Sequence, residues 1–129
     1  MNVSITNSEW AVLECLWAKE PLTVTQLAHA LRASVGWAKS TAVTMANRME
    51  QKGLLTCEDG GKAKLYRAAL CRDDAEARLT RSFLDRVYSG SVGLMVSAMV
   101  SREALSPEEL SELRAVLDRA EAASEKKEG

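Results

Sequence analysis

Short hydroxyl, amide and basic side chains recur along one side of the stretch from Lys39 to Lys52. The apolar residues of this stretch fall three and four positions apart, which is the spacing of one buried helix face. Glu and Lys commonly solubilise the opposite face, but here the outward groups are ones that hydrogen-bond to base edges and phosphates. We therefore expect this helix to contact DNA through Lys39, Ser40, Thr41, Val43, Thr44, Asn47, Arg48 and Lys52.

These side chains differ in the DNA group that each is expected to meet. Asn47 can bond both hydrogen-bonding groups of an adenine edge, and Val43 can pack against a thymine methyl. The hydroxyls can bond a base or a phosphate, whereas Arg48 and Lys52, near the end of the helix, suit phosphates. A predicted hairpin beyond the helix adds three basic residues for the DNA backbone or minor groove, namely Lys62, Lys64 and Arg67.

The elements that must position these residues can be read from local signals. Thr6–Glu9 and Thr23–Gln26 have capping-box spacing, a hydroxyl followed three positions later by Glu or Gln, and each begins a helix. Gly53 ends the third helix in a position that favours positive φ. Two short strands at 54–58 and 63–68 then flank a glycine turn. The order helix, helix, helix, hairpin predicts a winged helix-turn-helix.

The chain becomes purely helical from Arg72 onward. A long helix is predicted to run to Ser89-Gly90, and a shorter apolar segment follows at 92–100. The last helix begins at Ser106, which is followed by Pro at N1 and Glu at N3, and it is expected to fray from Glu121. The predicted fold class is mainly α with a small β-hairpin. It comprises a winged-helix domain, residues 1–71, and a helical dimerisation region, residues 72–129.

The helices of residues 72–129 carry separate apolar stripes and few aromatic residues. Such stripes are buried more completely across a second copy of the chain than within one copy, so we expect a homodimer. The alternative is that this region folds back on the first domain. The expected dimer-interface residues are Phe83, Val87, Leu94, Met95, Leu110, Leu113 and Leu117.

The composition bounds the class of protein. The 129 residues are 47% hydrophobic and 27% charged, which describes an ordinary folded chain. Residues 1–71 hold 8 Lys and Arg against 6 Asp and Glu, and residues 72–129 hold 9 against 12, so the first part suits a polyanion better. No apolar run approaches the roughly 20 residues that span a bilayer. The opening residues do not read as a signal peptide, and we expect a cytoplasmic protein without membrane insertion.

The residues that carry most enzyme chemistry are sparse. Cys15, Cys57 and Cys71 are far apart, and His29 is the single histidine, so the sequence offers neither a nucleophile–base pair nor a metal cluster. We expect no enzyme activity, no cofactor and no metal, while a redox role of the cysteines stays open. The alternative function is a winged-helix module that binds a protein, which a weaker salt dependence of binding would distinguish.

Five stretches together resemble the BlaI/MecI/CopY family of bacterial repressors, of the penicillinase-repressor type. They are TNSEWAVLECLW (6–17), TAVTMANRMEQKGLL (41–55), GGKAKLYRAAL (60–70), SFLDRVYSG (82–90) and EALSPEELSELRAVL (103–117). The resemblance implies a homodimeric repressor with an amino-terminal winged helix and a carboxy-terminal dimerisation region. It also implies a two-fold symmetric operator in double-stranded DNA, ahead of β-lactam-resistance or related genes.

The resemblance implies a route of release as well. In the penicillinase branch a membrane sensor protease triggers cleavage of the repressor between an Asn and a Phe. The aligned pair here is Ala98-Met99, so this candidate cleavage region departs from the family pattern. The copper branch ends in paired CxC motifs, which residues 118–129 lack, so release by copper is not supported. Loss of the dimer, by proteolysis or by a ligand, is the expected mechanism.

Overall fold

A computed structural model describes residues 5–102 and 105–128. Glu103 and Ala104, which open the stretch 103–117, lie outside the described residues, as do residues 1–4 and 129. The described residues form six helices and three short strands. In chain order they are α1 (Asn7–Ala18), β1 (Leu22–Thr23), α2 (Val24–Val35), α3 (Lys39–Lys52), β2 (Leu55–Asp59), β3 (Lys64–Ala68), α4 (Arg72–Tyr88), α5 (Val92–Ser101) and α6 (Pro107–Glu128).

The first two helices begin where the capping boxes predicted. The Thr6 hydroxyl accepts a hydrogen bond from the Glu9 N–H, at 3.2 Å, and the Glu9 carboxylate accepts one from the Thr6 N–H, at 2.9 Å. Thr23 and Gln26 form the same pair of bonds at the start of α2. Backbone N–H groups of the first turn have no acceptor within the helix, so these bonds fix where each helix starts.

Helix α3 also has the predicted bounds, and its two ends differ. At its carboxyl end Gly53 takes the left-handed conformation, with φ 89°, and its N–H bonds to the Glu50 carbonyl. The next N–H, of Leu54, bonds to the Met49 carbonyl, so the last turn is closed by backbone bonds. At its amino end Ala38 provides no side-chain cap.

The sheet has one strand more than the predicted hairpin. Strands β2 and β3 pair antiparallel, as predicted, and β1 joins the other side of β3 to give the order β1-β3-β2. In this register Leu22 lies opposite Tyr66, and both side chains are buried. A strand of two residues is too short to show an alternating pattern, so only its pairing with β3 identifies it.

One hydrophobic core supports the first part of the chain. It joins buried side chains of α1, α2, α3 and the sheet with Ala75 of α4. Its largest fully buried members are Leu13, Leu16, Leu27, Leu31, Met49, Leu54 and Val12. Next to it Arg72 lies over the rings of Trp10 and Trp17, 5.8 and 4.9 Å from their centroids, and ties the start of α4 to α1.

The chain divides into two compact units, residues 1–83 and 84–129. Among the described residues of the second unit, Leu84 alone is buried. Helix α6 continues to Glu128, so the expectation that the chain frays from Glu121 was wrong. This segment lacks an apolar stripe, but Ala, Glu and Lys are intrinsically good helix formers. The boundary expected at residue 72 separates the DNA-binding part of the chain from the dimerising part, and this division stays a prediction.

The mainly helical class with a small antiparallel sheet is confirmed. No helix within residues 5–102 and 105–128 is both long and apolar enough to cross a membrane.

Candidate nucleic-acid interface

The outer face of α3 presents the predicted polar side chains to solvent. Its inner face is buried through Ala42, Ala46 and Met49, each 0% exposed, and this stripe sets the rotation of the helix about its axis. Val43 is half-buried beside the stripe, so a smaller part of its surface than predicted is open to a base. The exposed candidates on this helix are Lys39, Ser40, Thr41, Thr44, Asn47 and Arg48.

The amino end of α3 adds backbone groups to this face. Because Ala38 has no polar side chain, the N–H groups of the first turn have no side-chain acceptor from the cap. These N–H groups and the positive end of the helix dipole are chemically suited to a phosphate oxygen. The exposed hydroxyls of Ser40 and Thr41 lie in the same turn.

Gln51 also belongs to the outer face, although it was not among the predicted contact residues. It follows Asn47 by four positions, so the two amides lie one above the other on the helix, and both are exposed. A glutamine can bond the same pair of adenine groups as an asparagine. The four-residue spacing from Asn47 was the signal that would have found it.

Lys52, predicted as a phosphate contact, is paired with a carboxylate in this structure. Its ammonium donates to both carboxylate oxygens of Glu9, each at 2.9 Å, and the Lys52 side chain is 30% exposed. The residue follows Met49 by three positions and therefore lies next to the buried stripe. A phosphate contact by Lys52 stays a prediction, and it would have to compete with Glu9.

The hairpin of β2 and β3 forms a wing with a tight basic tip. The Gly60 N–H bonds to the Ala63 carbonyl at 2.9 Å, and the Gly61 N–H bonds to the Asp59 carboxylate at 3.0 Å. A Cβ on Gly60 would lie 2.6 Å from the Ala63 oxygen, so this turn requires glycine there. The turn leaves two predicted contact residues, Lys62 and Lys64, fully on the surface.

Arg67 is the third predicted basic residue of the wing. Its Nε donates to the Glu58 carboxylate on the neighbouring strand, at 3.2 Å, and both side chains are about half exposed. An exposed pair of this kind is weak and screened by salt, so Arg67 can exchange Glu58 for a phosphate. Among the described residues, no carboxylate forms an ion pair with Lys62 or Lys64, whereas Arg67 is paired with Glu58.

The predicted dimer residues lie mostly on the surface. Phe83, Val87, Leu94, Leu110 and Leu117 are 40%, 52%, 58%, 37% and 55% exposed, respectively, and Met95 and Leu113 are half-buried. Single exposed apolar residues are ordinary, but large ones in such density mark an interaction surface. In the first unit, by contrast, Val35 is the described large apolar side chain of comparable exposure apart from Phe83.

The candidate cleavage pair lies inside α5. Ala98 is half-buried and Met99 is 41% exposed. The Ala98 carbonyl accepts hydrogen bonds from the Arg102 N–H, at 3.3 Å, and from the Ser101 hydroxyl, at 3.4 Å. A protease needs an extended backbone, so α5 would have to open locally before this peptide bond could be cut.

Cys15 and His29 line the same open groove beside α1 and α2, whereas Cys57 and Cys71 are not among its lining residues. Burial raises the pKa of the Cys15 thiol, which disfavours the reactive thiolate. Within the described residues no three His, Cys, Asp or Glu side chains lie close enough to hold a metal ion.

Comparison with known proteins identifies relatives over most of the chain. The family model for the penicillinase repressor matches residues 5–119. The methicillin resistance regulatory protein MecI of Staphylococcus aureus strain N315 is 25% identical over 115 residues, which cover 89% of this chain and 94% of that protein. The penicillinase repressor of Bacillus licheniformis is 28% identical over 114 residues, or 88% of this chain and 89% of that protein.

A solved structure shows the fold of the first unit. The solution structure of monomeric Bacillus licheniformis BlaI in complex with the blaP half-operator superposes with a TM-score of 0.51 at 22% identity. The match covers 57% of this chain and 90% of that one. The winged-helix fold is thereby confirmed. The relatives are repressors and regulatory proteins, which confirms the expectation that the chain is not an enzyme.

Proposed function

The chain belongs to the penicillinase repressor family, and we propose that it is a dimeric transcriptional repressor of double-stranded operator DNA. The observation that carries this proposal is the outer face of α3, where hydroxyl, amide and basic groups are exposed along a helix whose other face is fixed in a core. Such a helix fits the major groove, with side chains reaching base edges. We refer to α3 as the recognition helix from here on.

The side chains divide into readers of sequence and binders of backbone. Asn47 and Gln51 can each bond two groups of one base, so they are the proposed sequence readers. Lys39 and Arg48 are exposed on the same helix, and we assign them to phosphates. Lys62 and Lys64 of the wing give a second backbone contact, which fixes the angle at which the helix enters the groove.

The second unit supports a homodimer. A groove of about 320 Å³ between α5 and α6 is lined mostly by apolar residues, including Met95, Met99, Leu113 and Val116. A side chain of a partner chain would fill it, and the exposed leucines around it would be covered. A two-fold dimer places two recognition helices about 34 Å apart, one turn of B-DNA, so each reads one half of a symmetric operator.

Release of the operator follows from the same arrangement. Each half-site alone binds weakly, and the dimer gains affinity because binding of one half raises the effective concentration of the other. Proteolysis near Ala98-Met99, triggered by a membrane sensor protease, or a ligand between the helices would remove that gain. The proposed target genes are those of β-lactam resistance or related functions, in line with the names of the relatives.

Fluorescence anisotropy tests the proposal directly. A labelled duplex from upstream of the protein's own gene is titrated with protein across a salt series, and a duplex of scrambled sequence serves as the control. We expect preferential binding of the first duplex, with an affinity that falls steeply as salt rises because bound phosphates release counterions. The stoichiometry should be two chains per duplex.

Two results would count against it. Equal and feeble binding of both duplexes, confirmed by a genome-wide pull-down that recovers no preferred sequence, would contradict a sequence-specific repressor. Tight binding of a protein partner through α3, with little dependence on salt, would favour the protein-interaction module instead. The salt series separates these outcomes because a protein interface displaces fewer condensed ions than a DNA backbone does.

A further inference from the structure

A partly buried ion pair joins the recognition helix to the start of the protein's first helix. The Lys52 ammonium lies 2.9 Å from each carboxylate oxygen of Glu9. Glu9 is the one buried charged residue among those described, at 6% exposure. Its carboxylate also accepts the Thr6 N–H, and no buried side-chain polar atom of the described residues lacks a hydrogen-bond partner. The buried Glu9 carboxylate therefore has its hydrogen bonds satisfied, while the Lys52 side chain stays 30% exposed.

The location of each charge favours this pairing. Glu9 lies in the first turn of α1, near the positive end of that helix, and Lys52 lies in the last turn of α3, near the negative end. Burial alone would raise the pKa of the Glu9 carboxyl, but the Thr6 N–H and Lys52 outweigh it, and the pKa lies below its ordinary value. Glu9 thus stays ionised opposite Lys52 at neutral pH.

Apart from this pair, α3 packs on the core through three buried residues. Two of the three buried residues on the inner face, Ala42 and Ala46, are small, and the third, Met49, is flexible. These contacts set the rotation of the helix about its axis, but no residue of α3 beyond Met49 is buried, so its carboxyl end relies on other contacts. Lys52 extends the same side of the helix by about one turn, and Glu9 holds its ammonium through both carboxylate oxygens. Asn47 and Arg48 lie about one turn away.

We propose that Glu9 and Lys52 act as a positioning pair, which fixes the carboxyl end of the recognition helix for operator reading without touching DNA. This rests on the proposed function. Base contacts have strict geometry, whereas backbone contacts tolerate small shifts. Loss of the pair should therefore weaken operator binding more than it weakens binding to scrambled DNA. We expect about a tenfold loss of preference, the size of coupling found between residues in direct contact.

The experiment compares Glu9→Gln, Lys52→Met and the double variant with the wild-type chain, by anisotropy on both duplexes across a salt series. Glu14→Gln is the matched control, since it removes a carboxylate from the exposed side of the same helix. Lys52→Met leaves the buried Glu9 carboxylate as an unpaired charge and is the variant at risk of unfolding. The double variant leaves none, so it remains a folded test, with circular dichroism as the check.

A positioning role predicts that all three variants lose operator preference while the slope of affinity against salt stays that of the wild type. The double variant should be no worse than the more affected single one. A Lys52 phosphate contact would instead lower the slope by about 0.9 in Lys52→Met and leave Glu9→Gln unaffected, which would overturn the proposal. Unchanged preference in the folded double variant would overturn it as well. A wild-type chain without preference contradicts the proposed function and this role together.

Discussion

The two units of the chain differ in how much of their apolar side-chain surface is buried. In residues 1–83 the large apolar residues converge on one core, with Leu13, Leu27 and Leu31 fully buried. In residues 84–129, Leu94 and Leu117 are 58% and 55% exposed, and α5 contains no buried residue. A segment of this size with so little buried surface gains too little hydrophobic free energy to offset the entropy of ordering its chain.

The difference indicates that the two units have different roles. The first unit has what a chain needs to fold and hold a rigid recognition helix, namely a core, two capping boxes and closed helix ends. The second unit exposes the large apolar side chains through which we propose that it binds a copy of itself. We infer that the order of the second unit depends on the partner chain, whereas the order of the first does not.

Introducing charge on the apolar side of α6 should have the largest effect. In the variant carrying Leu110→Glu and Leu117→Glu, two carboxylates would have to be buried at the proposed interface, and the dimer should dissociate. Operator affinity should then fall by about 10²–10⁴-fold, since the gain from a second linked site is lost. Sedimentation and anisotropy measure the two effects.

Ala115→Glu is the control for these substitutions. Ala115 is exposed on the opposite side of α6, so the added charge should leave both mass and affinity unchanged. If the double glutamate variant sediments as a dimer with wild-type affinity, the interface lies elsewhere.

The same substitution in the two units should give unequal losses of stability. Leu27→Ala removes a fully buried side chain and should lower the free energy of unfolding by about 2–5 kcal/mol at any protein concentration. Leu94→Ala should lower it only through the dimer, so its effect should shrink when the chains are diluted to monomers. Urea unfolding at several protein concentrations measures both. Equal, concentration-independent losses would remove the contrast between the units.

Replacing a sequence reader should reduce preference rather than stability. Asn47→Ala removes an exposed amide, and we expect a loss of about 1–3 kcal/mol of operator binding with no change in the unfolding midpoint. Anisotropy on the operator and scrambled duplexes gives the loss of preference. A variant that weakens both duplexes equally would show that Asn47 binds backbone.

Replacing a wing lysine should have the smallest effect. Lys64→Ala removes one proposed phosphate contact, so the slope of the logarithm of affinity against the logarithm of salt should become shallower by about 0.9. The operator and scrambled duplexes should be affected alike, because a phosphate contact carries no sequence information. An unchanged slope would place this side of the wing away from DNA.

Elements with local signals could be predicted from the sequence. Helix α3 and the capped helix starts at Thr6, Thr23 and Ser106 depend on residues within four positions of each other, and all of them were found. The hairpin was found within one residue at its boundaries, because its glycine turn is also local. The confirmed winged helix followed from their order.

Features that depend on distant residues could not be predicted in the same way. The partner of Lys52 lies 43 positions away, and no periodicity links Glu9 to α3 before the helices are packed. Strand β1 exists only because β3 supplies its hydrogen bonds. The side chains proposed to bind DNA were selected by residue type, and their exposure in the structure supports that choice except at Lys52 and, in part, Val43.

The number of chains bound to one operator is the direct test of whether the protein binds DNA as a dimer. Sedimentation velocity of the protein with a labelled duplex that carries both half-sites gives the mass of the complex. We expect two chains per duplex, and a shift to one weakly bound chain for the Leu110→Glu, Leu117→Glu variant. A wild-type complex saturated by a single chain, with full affinity, would contradict binding as a dimer.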